Sequence, residues 1–384
     1  MSTLPKTQKA VVCIGPNQPW KAVIDHPVPH PAAYEVLIKV IAVGLCGGDG
    51  VLRSGGVPGS SYPIVAGHEI VGRIVALGEK VGDENASEGS IWRWHVGQRV
   101  GLGWNAGRCR TCYYCRQGNP QGCSMAHATA LIRDGGLAEY TTAHYTALVP
   151  YPDTLPSLQA PLLCAGLTCF NALRHARAKP GDSVLIIGCG GLGHVAIPLA
   201  RALGLRPIVI SRTEEKRKSA LQLGAEAYIA SASSQPLPGS PDPLVNEIIR
   251  IVDGPFGGAG KGPQGVNLIL QTAPEEETLK RATGALAMDS EVFLLGEPES
   301  MRIDLPLVPF LLKRASIRGW TAGVPTDAHD TLRFCVQTGI RCTIQTTTLD
   351  KAEDAYTNMG AARFRTVVVV DPEEIEKESA RGLA

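Results

Sequence analysis

The chain has 384 residues, of which 44% are apolar, so its length and composition predict a globular protein with two hydrophobic cores. Its 37 Lys and Arg residues nearly cancel its 36 Asp and Glu residues. This balance gives no basic field for nucleic acid and no cationic face for a membrane, so a small-molecule partner is favoured. No apolar run approaches the roughly 18 residues that span a bilayer, and no leader or targeting signal is recognisable, so the predicted location is cytoplasmic.

From Lys9 to about Pro150 the chain consists of short β-rich runs separated by Gly and Pro, which predicts a small, irregular β lobe. Short strands return after residue 316. The residues from Asp371 to Ala384 are predicted to be a solvated, charged terminus. The stretch from Gly82 to Trp94 is predicted to be a surface insertion; the alternative is that it shapes the rim of a substrate cleft. The clearest predicted strands of this lobe are Val36 to Val43, Ile70 to Leu77, Arg99 to Leu102 and Thr366 to Val370.

From about Gly166 the pattern changes to strands that alternate with helical stretches, which predicts a parallel sheet with right-handed crossovers. Pro198 lies inside the first of these helices, where it should remove a backbone hydrogen bond and bend the helix axis. The predicted strands are Ser183 to Ile187, Pro207 to Ser211, Leu268 to Gln271 and Glu291 to Leu295, and the predicted helices are Gly193 to Leu203 and Glu214 to Leu223.

Four cysteines, Cys109, Cys112, Cys115 and Cys123, have the spacing C-x2-C-x2-C-x7-C, which lets one short loop place four thiolates tetrahedrally around a zinc ion. Two disulfides would be the alternative in an extracellular protein, whereas a cytosolic chain favours zinc. Because four cysteines fill every coordination position, the predicted zinc has a structural role, and the chemistry must lie elsewhere.

A glycine motif links a predicted strand to a predicted helix. The apolar residues Val184 to Ile187 run directly into Gly188-Cys189-Gly190-Gly191-Leu192-Gly193. Glycines in this position permit a tight turn and let a pyrophosphate approach the backbone N–H groups at the helix N-terminus. The motif therefore predicts a dinucleotide-binding fold.

The residue that distinguishes the two nicotinamide cofactors is expected at the end of the second strand of this fold, where NAD sites usually place Asp or Glu. Here that position is predicted to be Ser211, which cannot repel a 2′-phosphate. Arg212, Lys216 and Arg217 stand close by in the sequence to pair with one. The sequence therefore favours NADP(H) over NAD(H); the alternative is that the three cations are ordinary solvated residues.

A second metal site is predicted from three separate stretches. Cys46 follows a predicted strand, His68 and Glu69 lie in a Gly67-His68-Glu69 turn, and Cys164 follows a Pro-Leu-Leu run. Each of these residues alone would be an ordinary core or surface residue. Two thiolates and one imidazole together would bind a catalytic zinc and leave a fourth position for water or substrate. With the four-cysteine loop, the chain is predicted to bind two Zn2+ ions.

The sequence resembles the zinc-dependent medium-chain alcohol dehydrogenase/reductase family, particularly its cinnamyl-alcohol-like and microbial alcohol dehydrogenase branches. The motifs that carry the resemblance occur in the family's order across nearly the whole chain. They are Gly44-Leu45-Cys46-Gly47-Gly48-Asp49, Gly67-His68-Glu69, the four-cysteine loop, Leu163-Cys164-Ala165-Gly166-Leu167-Thr168 and the glycine motif.

The resemblance implies an α/β fold with two domains. A GroES-like, β-rich catalytic domain would comprise residues 1–164 and 311–384 and would include the structural zinc loop at 109–123. A Rossmann domain with a doubly wound parallel sheet would comprise residues 165–310. The resemblance further implies a substrate cleft at the domain junction and a homodimer, or a tetramer, formed through the Rossmann-domain edges.

The resemblance also implies roles for individual residues. Cys46, His68 and Cys164 would be the catalytic zinc ligands, with Glu69 next to the metal or transiently bound to it. Asp49 would accept the free ring N–H of His68 and set its tautomer; the alternative is a turn-forming aspartate. The remaining implied positions are Thr168 and Leu192 around the nicotinamide, Trp104 in the substrate pocket or the core, and Arg365 on a cofactor phosphate or at the surface.

Two positions depart from the family pattern. Relatives that oxidise alcohols usually carry Ser or Thr two residues after the first cysteine ligand, and often His five residues after it, as a proton relay. This chain has Gly48 and Val51 there, and neither can transfer a proton. The expected reaction is reduction of an aldehyde or ketone carbonyl by NADPH, with water or a ribose hydroxyl supplying the proton.

Two alternatives stay open. The missing relay favours NADPH-dependent reduction of a conjugated C=C or iminium bond in a specialised metabolite, because the proton then goes to carbon or is not needed at oxygen. A binding protein that keeps the fold without turnover is the third interpretation. The near-complete set of predicted metal and cofactor residues argues against it.

Overall fold

The structure, a computed structural model, describes residues 4–55, 60–82, 92–125, 127–234, 240–254, 265–296 and 302–383. Most of the predicted insertion from Gly82 to Trp94 lies outside these residues. The chain divides into two units: unit 1 comprises Met1–Leu167 and Ala322–Ala384, and unit 2 comprises Thr168–Thr321. Within the described ranges, none of the helices combines the length and apolar character needed to cross a bilayer.

Strands dominate unit 1, whereas strands alternate with helices in unit 2. The described strands, in chain order, are β1 (Thr7–Cys13), β2 (Lys21–Pro27), β3 (Glu35–Gly44), β4 (Ile64–Val65), β5 (Glu69–Leu77), β6 (Arg99–Leu102), β7 (Tyr140–His144), β8 (Leu148–Pro150), β9 (Ser183–Ile187), β10 (Arg206–Ser211), β11 (Ala227–Ala230), β12 (Val266–Gln271), β13 (Leu286–Leu294), β14 (Ser316–Gly319), β15 (Ile344–Thr348) and β16 (Arg365–Val369). The described α-helices are α1 (Asp49–Ser54), α2 (Tyr113–Arg116), α3 (Ala165–His175), α4 (Gly193–Ala202), α5 (Arg217–Gln222), α6 (Pro243–Asp253), α7 (Glu276–Ala282), α8 (Leu307–Lys313), α9 (Pro325–Thr338), α10 (Ala352–Thr357) and α11 (Pro372–Ala380).

Unit 1 is built around β3, a strand rich in Val and Ile that is buried along nearly all of its length. Burial on both faces explains why its sequence, apart from Glu35 at its start and Lys39 within it, is apolar without alternation. It lies inside a seven-stranded sheet with the order β15-β16-β3-β5-β6-β8, in which β7 also pairs with β3. A smaller sheet has the order β2-β1-β4. The predicted β-rich lobe is confirmed.

Unit 2 contains a parallel sheet with the strand order β11-β10-β9-β12-β13-β14. Counted along unit 2, this is the order 3-2-1-4-5-6 of doubly wound dinucleotide-binding sheets. The first strand of the unit, β9, lies between β10 and β12 and is buried at every position, as expected for a central parallel strand. The predicted α/β fold class with a Rossmann sheet is confirmed.

Helix α4 continues through Pro198, within the range that the sequence predicted. Two other details of unit 2 differ from the sequence-based expectation. The predicted helix from Glu214 to Leu223 is shorter, because a 3-10 turn, Glu214–Lys216, precedes α5. The domain boundary expected between residues 310 and 311 falls inside α8, and unit 2 continues to Thr321 because β14 pairs with β13.

The C-terminal residues are not the solvated tail that the sequence predicted. They form α11, whose N-terminus is capped by Asp371: its carboxylate accepts a hydrogen bond from the backbone N–H of Glu374 at 3.2 Å. Ile375 packs against a small apolar cluster that includes Ile41 of β3. The helix is therefore part of the fold of unit 1.

A buried polar network holds α11 in place. The Glu378 carboxylate accepts hydrogen bonds from the backbone N–H (2.8 Å) and the hydroxyl (2.6 Å) of Ser157, and it lies 3.3 Å from Nη2 of Arg99. Arg99 also donates to the carbonyl of Leu155 at 2.7 Å. Both members of the ion pair are buried, so removing one would leave the other charge uncompensated.

We predict that Glu378→Gln lowers the free energy of unfolding by about 3 kcal/mol, because Arg99 loses its buried counter-charge. Urea denaturation of the purified protein measures this change. Glu376→Gln, at an exposed position of the same helix, is the matched control and should shift stability by less than about 0.5 kcal/mol. Equal stabilities of the two variants would contradict the importance of the pair.

Candidate active site and metal centres

The four clustered cysteines converge in unit 1. Their Sγ atoms all lie within 4.8 Å of one another, and those of Cys109 and Cys123 are 3.5 Å apart. Sulfurs in a disulfide would lie about 2.05 Å apart, and all four cysteines are free. Cys115 lies on α2, and Cys112 is the residue that caps it. The loop thus presents the donor set and the spacing of a closed, four-cysteine zinc site.

Backbone N–H groups point at the sulfurs of this loop. The N–H of Cys112 donates to Sγ of Cys109 at 3.3 Å, and the N–H of Cys109 donates to Sγ of Cys123 at 3.5 Å. The N–H groups of Cys115 and Ser124 lower the pKa of Cys112 to about 6. Because the thiolate is the form that binds metals, these contacts favour the metal-binding form of Cys112. Burial and the neighbouring thiols instead raise the pKa of Cys115, so the four thiols do not ionise equally without a cation.

The second predicted ligand set also meets in unit 1. Donor atoms of Cys46, His68, Glu69 and Cys164 all lie within 4.8 Å of one another, and the two thiol sulfurs are 3.9 Å apart. Cys46 lies two residues after β3, His68 directly precedes β5, and Cys164 directly follows a 3-10 helix, Ser157–Leu163. Three separate elements therefore bring two thiols and one imidazole together.

Asp49, the first residue of α1, fixes the orientation of the His68 ring. Its Oδ1 lies 2.7 Å from Nδ1 of His68, and its Oδ2 accepts a hydrogen bond from the backbone N–H of Cys46 at 3.1 Å. A carboxylate can only accept, so Nδ1 carries a ring proton, and in the neutral imidazole, the form that binds metals, the lone pair is on Nε2. Nε2 is buried and has no hydrogen-bond partner within the described ranges. A lone pair left in this way beside two thiols fits a metal ligand.

Of the two thiols in this site, Cys46 is the one that more readily becomes a thiolate. The hydrogen bond from Cys164 lowers the pKa of Cys46 well below its usual value against the opposing effect of burial, and the positive charge of Arg365 acts in the same direction. The same hydrogen bond, together with burial, raises the pKa of Cys164. One thiol therefore ionises readily, while the other holds its proton in the absence of a cation.

Glu69 and Arg365 form a buried ion pair next to the thiols. Nη2 of Arg365 donates to both carboxylate oxygens of Glu69 at 2.5 Å, and the Arg365 side chain is 3% exposed. Arg365 is therefore not a surface arginine. Burial raises the pKa of Glu69 to about 8, and Arg365 opposes this shift. Gly44 makes room for the pair, because a Cβ at this position would overlap Oε2 of Glu69.

Gly48 faces the ligand cluster. A Cβ at Gly48 would lie 3.3 Å from Cε1 and 3.7 Å from Nε2 of His68, and 3.6 Å from the ring of Trp104. Trp104 packs edge-on against His68 with ring centroids 5.0 Å apart, and it also contacts the core of unit 1. Val51, at the other expected relay position, packs against the same core. A serine at position 48 would fit here if its neighbours shift by a few tenths of an ångström.

In unit 2 the glycine motif forms the turn from β9 into α4. Gly188 has a φ of +98°, in the left-handed region, and its N–H donates to the carbonyl of Ile210 at 2.7 Å. Gly193 begins α4, and a Cβ there would overlap the Gly188 carbonyl. Oγ1 of Thr272 lies within hydrogen-bond distance of the carbonyls of Ile187 (2.9 Å) and Gly188 (3.1 Å). The turn thus places the N-terminus of α4 at the carboxyl edge of the sheet, where pyrophosphates bind.

The residues expected around the nicotinamide lie beside this turn. Leu192 is the N-cap residue of α4, and Thr168 is buried in α3. Sγ of Cys169, which follows Thr168, lies 3.5 Å from the Leu192 carbonyl. Helix α3 therefore packs next to the glycine turn.

The end of β10 carries the residues expected to distinguish the cofactors. Ser211 is the last residue of the strand. Arg212 follows it, and its Nε lies 3.1 Å from Oε1 of Glu275. Arg217 instead pairs with an acidic residue of the preceding 3-10 turn, and Lys216 ends that turn and is partly buried. Of the three cations, Arg212 lies nearest to Ser211 in the sequence and is the most exposed.

Sequence reasoning missed Thr272, which braces the glycine turn, and Glu275, which pairs with Arg212. Both follow β12 directly or within a few residues. The available signal was the predicted end of this strand at Gln271, because residues just after the strands of a doubly wound sheet line its ligand site.

Known proteins match this chain over both units. The family described as alcohol dehydrogenase GroES-like domain matches residues 32–153, and the family described as zinc-binding dehydrogenase matches residues 191–337. Alcohol dehydrogenase notN of an Aspergillus species is 34% identical over 96% of this chain and 100% of its own length. NADP-dependent alcohol dehydrogenase C 1 of Mycolicibacterium smegmatis is 33% identical over 89% of this chain and 90% of its own length.

Among solved structures, a zinc-binding dehydrogenase of Sinorhizobium meliloti bound to NADP aligns with a TM-score of 0.78 and 26% identity, over 95% of this chain and 100% of that chain. The chain therefore belongs to the zinc-type medium-chain alcohol dehydrogenase family, as its motifs predicted. It is an oxidoreductase of the alcohol dehydrogenase type, with a GroES-like and a Rossmann domain.

We predict that Asp49→Asn weakens zinc binding at the Cys46 site by about 10-fold to 100-fold, because an amide has only one oxygen and cannot accept from both His68 Nδ1 and the backbone N–H of Cys46. A chelator titration of the zinc-loaded protein should then release one zinc per chain more easily, while the zinc of the four-cysteine loop is retained. Asp350→Asn, at an exposed position, is the control. Identical release curves for both variants would contradict the role of Asp49.

Proposed function

We propose that the protein is a zinc-dependent reductase that transfers hydride from NADPH to the carbonyl carbon of an aldehyde or ketone, in a reaction that is reversible in principle. The observation that carries this proposal is the buried Nε2 of His68, which Asp49 directs toward the thiols of Cys46 and Cys164. Two thiolates and one imidazole are the catalytic zinc ligands of alcohol dehydrogenases. The four-cysteine loop would hold a second, structural zinc.

The residues around the ligand set have separate tasks in this proposal. Zinc bound by the two thiols and His68 would supply a Lewis acid that polarises the substrate carbonyl. Asp49 keeps the ring proton of His68 on Nδ1. Glu69 is held next to the ligands by Arg365, and we assign Arg365 to this pair instead of a cofactor phosphate. The proton for the alcohol oxygen would come from water or a cofactor ribose hydroxyl, because Gly48 cannot supply one.

We propose NADP(H) as the cofactor, in preference to NAD(H). Ser211 carries no charge that repels a 2′-phosphate, and Arg212 and Lys216 follow it. The relative from Mycolicibacterium smegmatis is named NADP-dependent, and the structure from Sinorhizobium meliloti holds NADP. Gly190, Gly191 and their neighbours in the glycine turn would bind the pyrophosphate at the start of α4.

We propose that the protein forms a homodimer through unit 2. β14 is the last strand of its sheet, so one edge of its backbone has no neighbouring strand in the part of the chain that is described. An unpaired edge beside an apolar patch is normally covered, and an antiparallel contact between two copies of β14 would cover it with two-fold symmetry. The apolar side chains more than half exposed on β13 and α8 are Met288, Leu307, Val308, Leu311 and Leu312.

A cytoplasmic location fits the cysteine chemistry. All eleven cysteines are free, and both proposed metal centres need reduced thiols, which the cytosol maintains. The balanced charge fits a small-molecule partner and favours neither nucleic acid nor a membrane surface.

We predict that the purified protein contains two zinc ions per chain and that NADPH deuterated at the transferred position labels the carbinol carbon of the product. Elemental analysis and mass spectrometry of the product measure these two outcomes. Cys46→Ser should contain one zinc and lose at least about 100-fold in activity, because the Lewis acid is lost. Cys112→Ser is the matched variant and should lose the other zinc.

The position of the label separates the two candidate reactions. The missing relay at Gly48 and Val51 is the feature that favours reduction of a conjugated C=C or iminium bond. Label at a β-carbon or beside nitrogen would support that reaction and contradict carbonyl reduction. A single zinc in active wild-type protein, held by the four-cysteine loop, would contradict the zinc mechanism.

We also predict that Gly48→Ser raises the turnover number for carbonyl reduction by about tenfold, because a hydroxyl near Nε2 of His68 can pass a proton to the developing alkoxide. Steady-state kinetics with a saturating aldehyde measures this effect. Gly48→Ala introduces the same Cβ without the hydroxyl and should not raise turnover. If the serine and alanine variants have equal rates, proton delivery does not limit this reaction.

A further inference from the structure

Arg212 and Glu275 form an ion pair at the carboxyl edge of the sheet in unit 2. Arg212 follows the last residue of β10, and Glu275 is the N-cap residue of α7, the helix that follows β12. The side chains are 78% and 26% exposed, respectively. In doubly wound sheets the dinucleotide lies along this edge, with its adenosine ribose at the end of the second strand. The pair therefore stands where the 2′-position of the cofactor is expected.

A cavity of about 410 Å³ adjoins the pair. Its lining includes Arg212, Ser231, Glu277 and Arg281, which follow β10 and β11 or lie on α7. Arg281 is held by Asp242, to which its Nε and Nη2 donate at 2.8 Å. The side chain of Arg212 is much more exposed than that of Arg281, so a ligand can displace its carboxylate partner more readily. Of the two arginines that line this cavity, Arg212 is therefore the one available to bind a ligand.

The two nicotinamide cofactors differ at this point. A 2′-phosphate is a stronger partner for a guanidinium than a carboxylate is, because it carries up to two negative charges. To bind it, Arg212 must either leave Glu275 or share its guanidinium between the carboxylate and the phosphate, and in both cases Glu275 remains as a negative charge beside the phosphate. A cofactor with a 2′-hydroxyl requires neither change. Glu275 is therefore expected to weaken the binding of NADP(H) and to leave the binding of NAD(H) unchanged.

We propose that Glu275 is a specificity-determining residue that weakens NADP(H) binding by holding Arg212 and by repelling the 2′-phosphate. This inference rests on the proposed function, because it requires a nicotinamide dinucleotide to bind unit 2. Glu275 acts in the opposite direction to Ser211, whose lack of charge admits the phosphate. The preference between the cofactors then depends on the balance among Ser211, Arg212 and Glu275.

The test is isothermal titration of zinc-loaded wild type and Glu275→Gln with NADP+ and with NAD+. Glu275→Gln should bind NADP+ about fivefold more tightly, because the amide neither holds Arg212 as strongly nor repels the phosphate. Its affinity for NAD+ should change by less than about twofold. Asp289→Asn, which removes the same charge from the exposed Arg314–Asp289 pair elsewhere in unit 2, is the matched control and should change neither affinity.

A second variant shows whether Glu275 acts through Arg212. Arg212→Gln should bind NADP+ about tenfold more weakly, and adding Glu275→Gln to it should produce a much smaller gain than in wild type. Unchanged or weaker NADP+ binding by Glu275→Gln, in protein with the wild-type melting temperature, would overturn the inference. Unchanged NADP+ binding by Arg212→Gln would also overturn it. If wild type binds neither cofactor, the proposed function itself fails.

Discussion

The register of β3 against β5 and β16 is the constraint on which the metal-ligand cluster depends. Gly44, the last residue of β3, lies opposite Glu69 at the start of β5 and also pairs with β16. This alignment brings Cys46, just beyond Gly44, to His68, just before Glu69, and brings Arg365 of β16 to Glu69. A slip of one residue would turn these side chains to the opposite face of the sheet. The apolar burial of β3 therefore fixes the geometry of the site as well as the core.

Charge explains why this cluster favours a cation. Cys46, Cys164, Glu69 and Asp49 can together carry four negative charges, whereas Arg365 contributes one fixed positive charge. Without a metal, His68 can contribute a second positive charge, because, against the opposing effect of burial, Asp49 and Cys46 raise its pKa. Like charges buried together are destabilising unless they are offset. Without a metal the thiols share a proton, as the lowered pKa of Cys46 and the raised pKa of Cys164 indicate. A divalent cation would replace that proton and offset most of the charge.

The parts of the fold and site that could be predicted from sequence have local signals. The four-cysteine loop and the glycine turn depend on spacings within one short segment, so their residues could be identified directly. Cys46, His68 and Cys164 lie in three distant segments, so no single segment identifies them; their grouping rests on the donor set as a whole, and their individual roles rest on the family resemblance. The pairing of Arg365 with Glu69, 296 residues apart, has no signal in either segment because it arises from strand register.

The wrong prediction of a solvated tail where α11 forms has a different cause. A local signal was present: Asp371 followed by Pro372 and acidic residues is a favourable helix N-terminus. The high charge of the segment concealed it, because Glu378 is buried only through its contacts with Arg99 and Ser157. In the same way, the cations after Ser211 were interpreted without Glu275, since the ion pair forms only when the sheet brings the ends of two strands together.

In the proposed function, specificity for the bond that is reduced depends on residues of unit 1, and specificity for the cofactor depends on residues of unit 2. In unit 1 the nearest side chains to the open position at Gly48 are His68 and Trp104, and neither can pass a proton to an alkoxide while His68 binds the metal. The bond that is reduced therefore depends on where its proton can come from. In unit 2 the proposed choice of cofactor depends on Ser211 and Arg212 at the end of β10 and on Glu275 after β12. These two sets share no residue, so a substitution in one should leave the other largely unchanged. The departure from the family pattern at Gly48 and Val51 concerns the bond that is reduced. It removes the proton relay and leaves both the metal-ligand set and the glycine turn in place.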